Sequence, residues 1–399
     1  QTNIIKTKFP KMNIVYFYPH LKHPGGIERI LTAKANYMAD ILGYNVTIIT
    51  YRQFNGKNYF NLSENVVQIN LDIEDPSIFK NNDYKKKDYK KFLFTYKNLI
   101  EDFLLKNPQD IAISLFFGKE FNFLPLIKDN SKKILELHFN FQQTTLINKK
   151  KIINLKNFQD LKNFYYINKL EKIISMYEKL VVLSKNDLKN WQKKFKNATY
   201  IYNFSPIKYT GEVSLNSKSV ISVGRLTHEK GFDRLISAWK IVNEKHPDWI
   251  LNIFGNGELE NDLKNQIKSL GLESNINIKP STKNIANEYL KSSLYVMSSH
   301  FEGFPMVLLE ASQLGLPCVS FDCNYGPSEI IINEYDGYLV EQENINSLAE
   351  KIIFLIDNEN IRKNFSIRSI KKMEKFDIEI IMNKWKYLFE NMINNKEEI

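Results

Sequence analysis

The sequence predicts an α/β protein of two doubly wound parallel-sheet domains, and three observations carry that reading. Short β-branched and aromatic runs alternate with helical recurrences of apolar residues over nearly the whole length. The rhythm breaks at a turn-like Tyr202-Asn203-Phe204-Ser205-Pro206 and a polar stretch, 211–219, and then restarts. The glycine-bearing and charged motifs fall at the carboxyl ends of predicted strands, where open α/β sheets take their ligands.

In the first half, strands at 12–18 and 45–51 flank a helix at 27–42, which makes a βαβ unit. A strand at 66–71, a helix at about 89–105 and strands at 111–116 and 133–137 continue it. A Lys- and Asn-rich helical stretch, 148–177, precedes a strand at 180–183. The second half repeats the rhythm: strand 220–223, helix 232–245, strand 249–254, helix 259–270, strand 276–279, helix 285–291 and strand 294–297. Gly303 and Pro305 then break the chain, Met306 opens a short apolar helix to 314, Gly315 stops it, and a strand follows at 318–321. Helices at 347–355 and 378–392 complete the pattern. The domains are placed at 1–205 and 206–377, with the 378–392 helix packing back on the first. Two such domains facing each other would form one interdomain cleft.

The chain has 399 residues, 43% of them hydrophobic, with 27 Phe and 21 Tyr, enough for two cores. No apolar run approaches the ~18 residues of a membrane span, and the first residues lack a signal-peptide core, so a cytoplasmic protein is expected. Cys318 and Cys323 lie in or beside a predicted buried strand without metal-ligand spacing and read as reduced thiols; no metal and no cofactor are expected. Residues 1–205 hold 33 Lys and Arg against 18 Asp and Glu, or +15, which leaves −5 for the remainder. The basic half points either to an anionic partner such as nucleic acid, a membrane face or a phosphate-linked acceptor, or equally to the chain's compositional bias toward Lys, Asn and Ile. Within it, Lys85, Lys86, Lys87, Lys90, Lys91 and Lys97 interleave with Tyr84, Tyr89, Phe92, Phe94 and Tyr96, as in an interfacial helix or in a solvated helix lying on the core.

Glu302 and Glu310 are the most informative pair. Two glutamates eight apart are ordinarily solvated, but Met306-Val307-Leu308-Leu309 places Glu310 in a mostly buried helix, where a carboxylate requires hydrogen-bond donors. Eight residues at a helical rise separate the two by up to about 12 Å, which suits an extended ligand. Arg225 and Lys230 stand between a strand and a helix entrance, where a planar guanidinium and a mobile ammonium can clamp a diphosphate; the bland alternative is a solvated loop. Gly25-Gly26 before the first helix and Gly255-Asn256-Gly257 after a later strand either admit a ligand to the backbone or only turn the chain. His138 ends a strand at the predicted cleft rim.

With these pieces in order the chain resembles the retaining glycosyltransferases of family 4. The resemblance rests on Gly25-Gly26-Ile27-Glu28-Arg29, Val181-Val182-Leu183-Ser184-Lys185, Ser222 to Leu226 with Lys230-Gly231, Gly255-Asn256-Gly257, and Glu302-Gly303-Phe304-Pro305 to Glu310-Ala311. It implies the GT-B fold, two facing Rossmann-like domains. It also implies that Arg225 and Lys230 bind the donor diphosphate, that Glu302 and the backbone of Gly303, Phe304, Pro305 and Met306 hold the donor sugar, and that Glu310 accepts the ribose hydroxyls. Gly25, Gly26 and His138 would complete the site from the other domain. A hexose or N-acetylhexosamine would pass from a nucleotide sugar, UDP ahead of GDP, to a glycan acceptor, lipid-linked, in bacterial surface-polysaccharide synthesis. The implied reaction is a metal-independent front-side displacement at the inner face of the cell membrane.

Besides a catalytically dead sugar-nucleotide sensor, two other function classes fit parts of the chain. A nucleotide-sugar epimerase shares the two-domain cleft and needs no acceptor. A basic nucleic-acid-binding protein would use the first half, but no recognised module or aromatic signature supports it, and no nucleic-acid partner is expected.

Overall fold

The computed structural model describes residues 11–78, 86–115, 118–141, 168–206 and 211–394. The chain divides into two compact units. The first comprises 1–182, 188–201 and 382–399, the second 183–187 and 202–381.

The first unit contains β1 (Asn13–Tyr18), α1 (Gly26–Asp40), β2 (Asn45–Thr50), β3 (Val66–Asn70), α2 (Lys86–Lys106), β4 (Ile111–Leu115), β5 (Lys132–Leu137), β6 (Lys179–Val182), most of α3 (Lys185–Trp191) and β7 (Ala198–Tyr200). Among the described residues its strands form one parallel sheet of order β3-β2-β1-β4-β5-β6-β7. β4 and β5 are buried on both faces, as strands covered from both sides must be. The 148–167 part of the predicted Lys- and Asn-rich helix lies outside the described residues; 168–174 is helical.

The second unit contains β8 (Ser219–Val223), α4 (Phe232–Lys245), β9 (Ile250–Phe254), α5 (Glu260–Ser269), β10 (Ile276–Lys279), α6 (Ile285–Leu290), β11 (Leu294–Met297), α7 (Met306–Gln313), β12 (Cys318–Phe321), α8 (Pro327–Ile330), β13 (Gly337–Val340), α9 (Ile345–Asp357) and α10 (Glu359–Met373). Its parallel sheet has the order β10-β9-β8-β11-β12-β13. α11 (Ile378–Ile393) begins in the second unit and continues into the first from Met382. Both sheets are doubly wound, with the winding reversing between β1 and β4 and between β8 and β11.

Sequence periodicity locates α4, β10, β11 and β12 at their observed bounds but misses α3, β7, α8, β13 and α10. The buried face of α10 is Arg362, Phe365, Ser366, Ser369 and Met373, so polar residues conceal its period. β7 is only three residues long, too short for alternation to register.

The basic aromatic helix α2 divides its side chains between core and solvent. Phe92, Tyr96, Ile100 and Leu104, spaced by four, are buried in the first unit's core, and Tyr89 packs against it. Among the described residues the expected interfacial aromatics therefore reduce to Phe94, 67% exposed, on a helix whose Lys87, Lys90 and Lys91 are also exposed. Tyr84 and Lys85 lie outside the described residues.

Candidate functional site

Ligands of doubly wound sheets bind where the winding reverses, and in the second unit that point lies between β8 and β11. The two strands pair at Val220–Leu294 and Ile221–Tyr295, after which Ser222 Oγ donates to Val296 O at 2.7 Å. Two loops leave their carboxyl ends, 224–231 and 298–305.

The first loop is held against the turn that follows β9. Gly224 N donates to Phe254 O at 3.0 Å and Leu226 N to Asn256 O at 2.9 Å. A Cβ on Gly255 would lie 1.8 Å from Gly224 O, and one on Gly257 would lie 2.3 Å from Leu226 O. Both glycines are therefore fixed by backbone meeting backbone, a close approach that no side chain permits. Their first task is to set the Arg225 loop in place. Arg225 itself is 74% exposed, and its Nη2 donates to Glu229 Oε1 at 2.5 Å.

The second loop carries Glu302, only 8% exposed. Lys230 Nζ donates to Glu302 Oε1 at 2.7 Å, and Ser299 Oγ donates to the same oxygen at 2.7 Å. The Lys230 and Glu302 motifs, 72 residues apart, thus meet in one ion pair at the reversal point. Phe304 is buried, its ring 5.8 Å from that of Tyr202 and 5.9 Å from that of Phe376, so the side chain anchors the loop. What Gly303, Phe304 and Pro305 can offer a ligand is backbone. Pro305 caps α7, with Leu308 N and Leu309 N donating to its carbonyl, and Met306 is the first helical residue.

Glu310 is buried in α7 and accepts from Tyr289 Oη at 3.4 Å. Burial, then Cys318 and the Glu302 and Glu310 carboxylates, holds the Tyr295 phenol of β11 well above its ordinary pKa. Tyr289 and Ser299 escape sequence reasoning because neither type stands out in a helix or at a strand end.

In the first unit Gly25 is the N-cap of α1 and Gly26 its first residue. Glu28 is buried beneath this turn, and a Cβ on Gly25 would lie 2.0 Å from its Oε2. His20 stands nearby, accepting at Nε2 from Arg52 Nη2 at 3.0 Å; burial, then Arg52 and His23, press its pKa down to about 4. His138 sits at the end of β5 with Nε2 3.0 Å from Glu136 Oε1. The other oxygen of Glu136 receives Lys34 Nζ at 2.6 Å, both groups fully buried. Burial raises the Glu136 carboxyl, but Lys34 and then His138 outweigh it and hold it below the ordinary carboxylate range. A lysine on the apolar face of α1 and a glutamate inside a buried strand were the legible signals of this pair, and spacing alone did not link them.

Chemically, the second-unit loops bring an ammonium to the entrance of α4, a carboxylate beside it and an exposed guanidinium nearby. That set can neutralise phosphate oxygens and accept from hydroxyls at once.

The family model for Glycosyl transferases group 1 matches residues 209–372. An uncharacterized glycosyltransferase of Haemophilus influenzae is 30% identical over 384 residues, covering 94% of this chain and 98% of that protein. The amylovoran biosynthesis glycosyltransferase AmsD of Erwinia amylovora is 36% identical over 219 residues, 52% of this chain and 61% of that protein. Among solved structures, a mutant of Staphylococcus aureus TarM in complex with fondaparinux, alpha-GlcNAc-glycerol and UDP superposes with a TM-score of 0.72 over 95% of this chain and 100% of that one. At 17% identity this likeness speaks to fold alone.

Proposed function

The chain belongs to the glycosyltransferases, with the GT-B fold of two Rossmann-like parallel-sheet domains, and we propose that it is a retaining enzyme of the family 4 type. In this reading it moves a hexose or N-acetylhexosamine from a UDP sugar to a lipid-linked glycan in bacterial surface-polysaccharide synthesis, at the inner membrane face. The observation that carries the reading is the Lys230–Glu302 pair at the β8/β11 reversal point. The UDP in the TarM complex and the biosynthetic role in AmsD's name support the donor and the pathway class.

In the proposed reaction the bond between the anomeric carbon and the β-phosphate oxygen breaks, and its electron pair leaves with the diphosphate. The acceptor hydroxyl oxygen bonds to the same face of that carbon, and its proton passes to the departing phosphate oxygen. Lys230 and Arg225 meet the charge that grows on the diphosphate, while Glu302 and the 303–306 backbone orient the sugar. Glu310 accepts from the ribose hydroxyls. No metal is required in this scheme, because fixed cations take its place.

Incubating the protein with UDP- and GDP-sugars, with and without lipid extract, tests the reading. Nucleoside diphosphate release that depends on lipid, persists after EDTA dialysis and yields a product of retained anomeric configuration is expected. Inverted product sinks the retaining mechanism. Sugar interconversion without diphosphate release favours the epimerase instead.

A further inference from the structure

Arg234, in the first turn of α4, is a buried cation for which the scheme above has no use. It is 7% exposed, and its guanidinium lies 4.7 Å over the Phe321 ring. Nη2 donates to Ser298 O at 2.7 Å, while Nε and Nη1 have no hydrogen-bond partner among the described residues. Burying so many unmatched donors costs stability, and an apolar side chain of similar length would fill the space more favourably. Its position must therefore serve something other than the fold.

The carbonyl it grips is the first residue after β11, and that residue is bound into the Lys230 loop. Ser298 Oγ donates to Lys230 O at 3.0 Å, and His300 N donates to Glu229 O at 2.9 Å. Gly231, at φ +60°, presses its backbone onto the same carbonyl: a Cβ there would lie 2.3 Å from Ser298 O and 2.9 Å from Arg234 Nη2. One residue further on, Ser299 Oγ holds Glu302.

We propose that Arg234 and Ser298 form a latch that joins the end of β11 to the Lys230 loop and so fixes Lys230 and Glu302 in one geometry. Arg234 is a positioning residue, acting through the Ser298 carbonyl rather than on any ligand. The proposal rests on the assignment of Lys230 and Glu302 to the donor site. It explains the unmatched guanidinium: a single strong bond to a backbone carbonyl, made by a rigid planar group packed on an aromatic ring, sets a loop more firmly than a flexible side chain does.

Arg234→Met, Arg234→Lys and Ser298→Ala test it in the full chain. Arg234→Met is expected to keep or raise the unfolding temperature yet lower kcat by roughly tenfold to a hundredfold, with donor KM moving less than about threefold; misplacing reacting groups by about 1 Å has such an effect. Arg234→Lys, which retains a donor to Ser298 O, should recover part of kcat, and Ser298→Ala should lose a smaller factor. Hydrogen exchange reads the latch without any substrate: amides of 227–231 and 298–302 should exchange at least about tenfold faster in Arg234→Met, the opening of a local unit. Unchanged exchange in both Arg234→Met and Ser298→Ala overturns the proposal whatever the activity. A wild-type chain that turns over no nucleotide sugar while the variants do exchange faster instead defeats the donor-site reading and leaves the latch standing. Wild-type turnover with kcat unchanged in the variants defeats the latch alone.

Discussion

Glu302 holds a negative charge where Lys230 Nζ and Ser299 Oγ both meet one of its oxygens, so its substitution separates charge from shape. Glu302→Gln keeps the outline and the Ser299 contact but ends the ion pair. Turnover should fall by on the order of 10²-fold, the usual cost of removing one group that orients or stabilises a transition state, while the unfolding midpoint stays within a few degrees. Steady-state kinetics beside thermal unfolding checks this, and near-normal kcat would remove Glu302 from the donor site. Both motifs were legible in the sequence, because glycine, proline and charge at strand ends mark ligand loops. Their meeting was not, since 72 residues and a sheet reversal separate them. Arg234 was invisible for a related reason: within Phe232-Asp233-Arg234-Leu235 an arginine in a first turn reads as a solvated residue, and only packing shows it buried.

At the scale of single elements, the placement of charges on helices and strands has two measurable consequences. On α2 the buried Phe92–Leu104 face belongs to the core, so among the described residues Phe94 with Lys87, Lys90 and Lys91 forms the face that an anionic membrane would have to meet under the proposed function. At about 1 kcal/mol per lysine, changing all three to Ala should weaken binding to anionic vesicles by roughly a hundredfold. Cosedimentation that is indifferent to those lysines and to salt would exclude this face. The second concerns Glu120, fully buried beyond β4, which accepts from Ser114 Oγ at 2.8 Å and Tyr96 Oη at 3.3 Å. Burial lifts its pKa from 4.5 to about 7 against those hydrogen bonds and Lys119. The native state thus binds the proton more tightly than the unfolded chain, so stability present below pH 4.5 is lost as pH rises to about 7, by up to about 3 kcal/mol. Glu120→Gln removes that loss: denaturant midpoints should match wild type near pH 4.5 and exceed it at about pH 8. A pH-independent difference would mean that folding leaves the carboxyl's pKa at its unfolded value. The strands that the sequence marked fall within a residue of their observed bounds at either end, whereas the polar buried face of α10 hid a fifteen-residue helix.

For the whole molecule, the informative fact is that the first unit is assembled from separate stretches of chain, with residues from 382 onward counted in it. Sequence apolarity placed a terminal helix at 378–392, but only the fold shows what it covers. Met382, Trp385, Leu388 and Phe389 are buried, and the Trp385 ring centroid lies 3.7 Å from Lys34 Nζ, which is itself paired with Glu136. Three sequence-distant elements, α1, β5 and α11, therefore share one buried charge pair roofed by one indole. A buried ion pair contributes little by itself because desolvation offsets its attraction, so its integrity depends on the roof that excludes water and faces the ammonium with a π-surface. Trp385→Ala removes both the packing and the roof, and should cost about 3–5 kcal/mol, the range for deleting a large buried aromatic. Tyr387→Ala, on the exposed side of the same helix, is the control and should stay within about 0.5 kcal/mol. Chemical denaturation followed by circular dichroism compares them. Equal midpoints for the two variants would show that α11 adds no stability to the first unit, and that the Lys34–Glu136 pair is sustained by α1 and β5 alone.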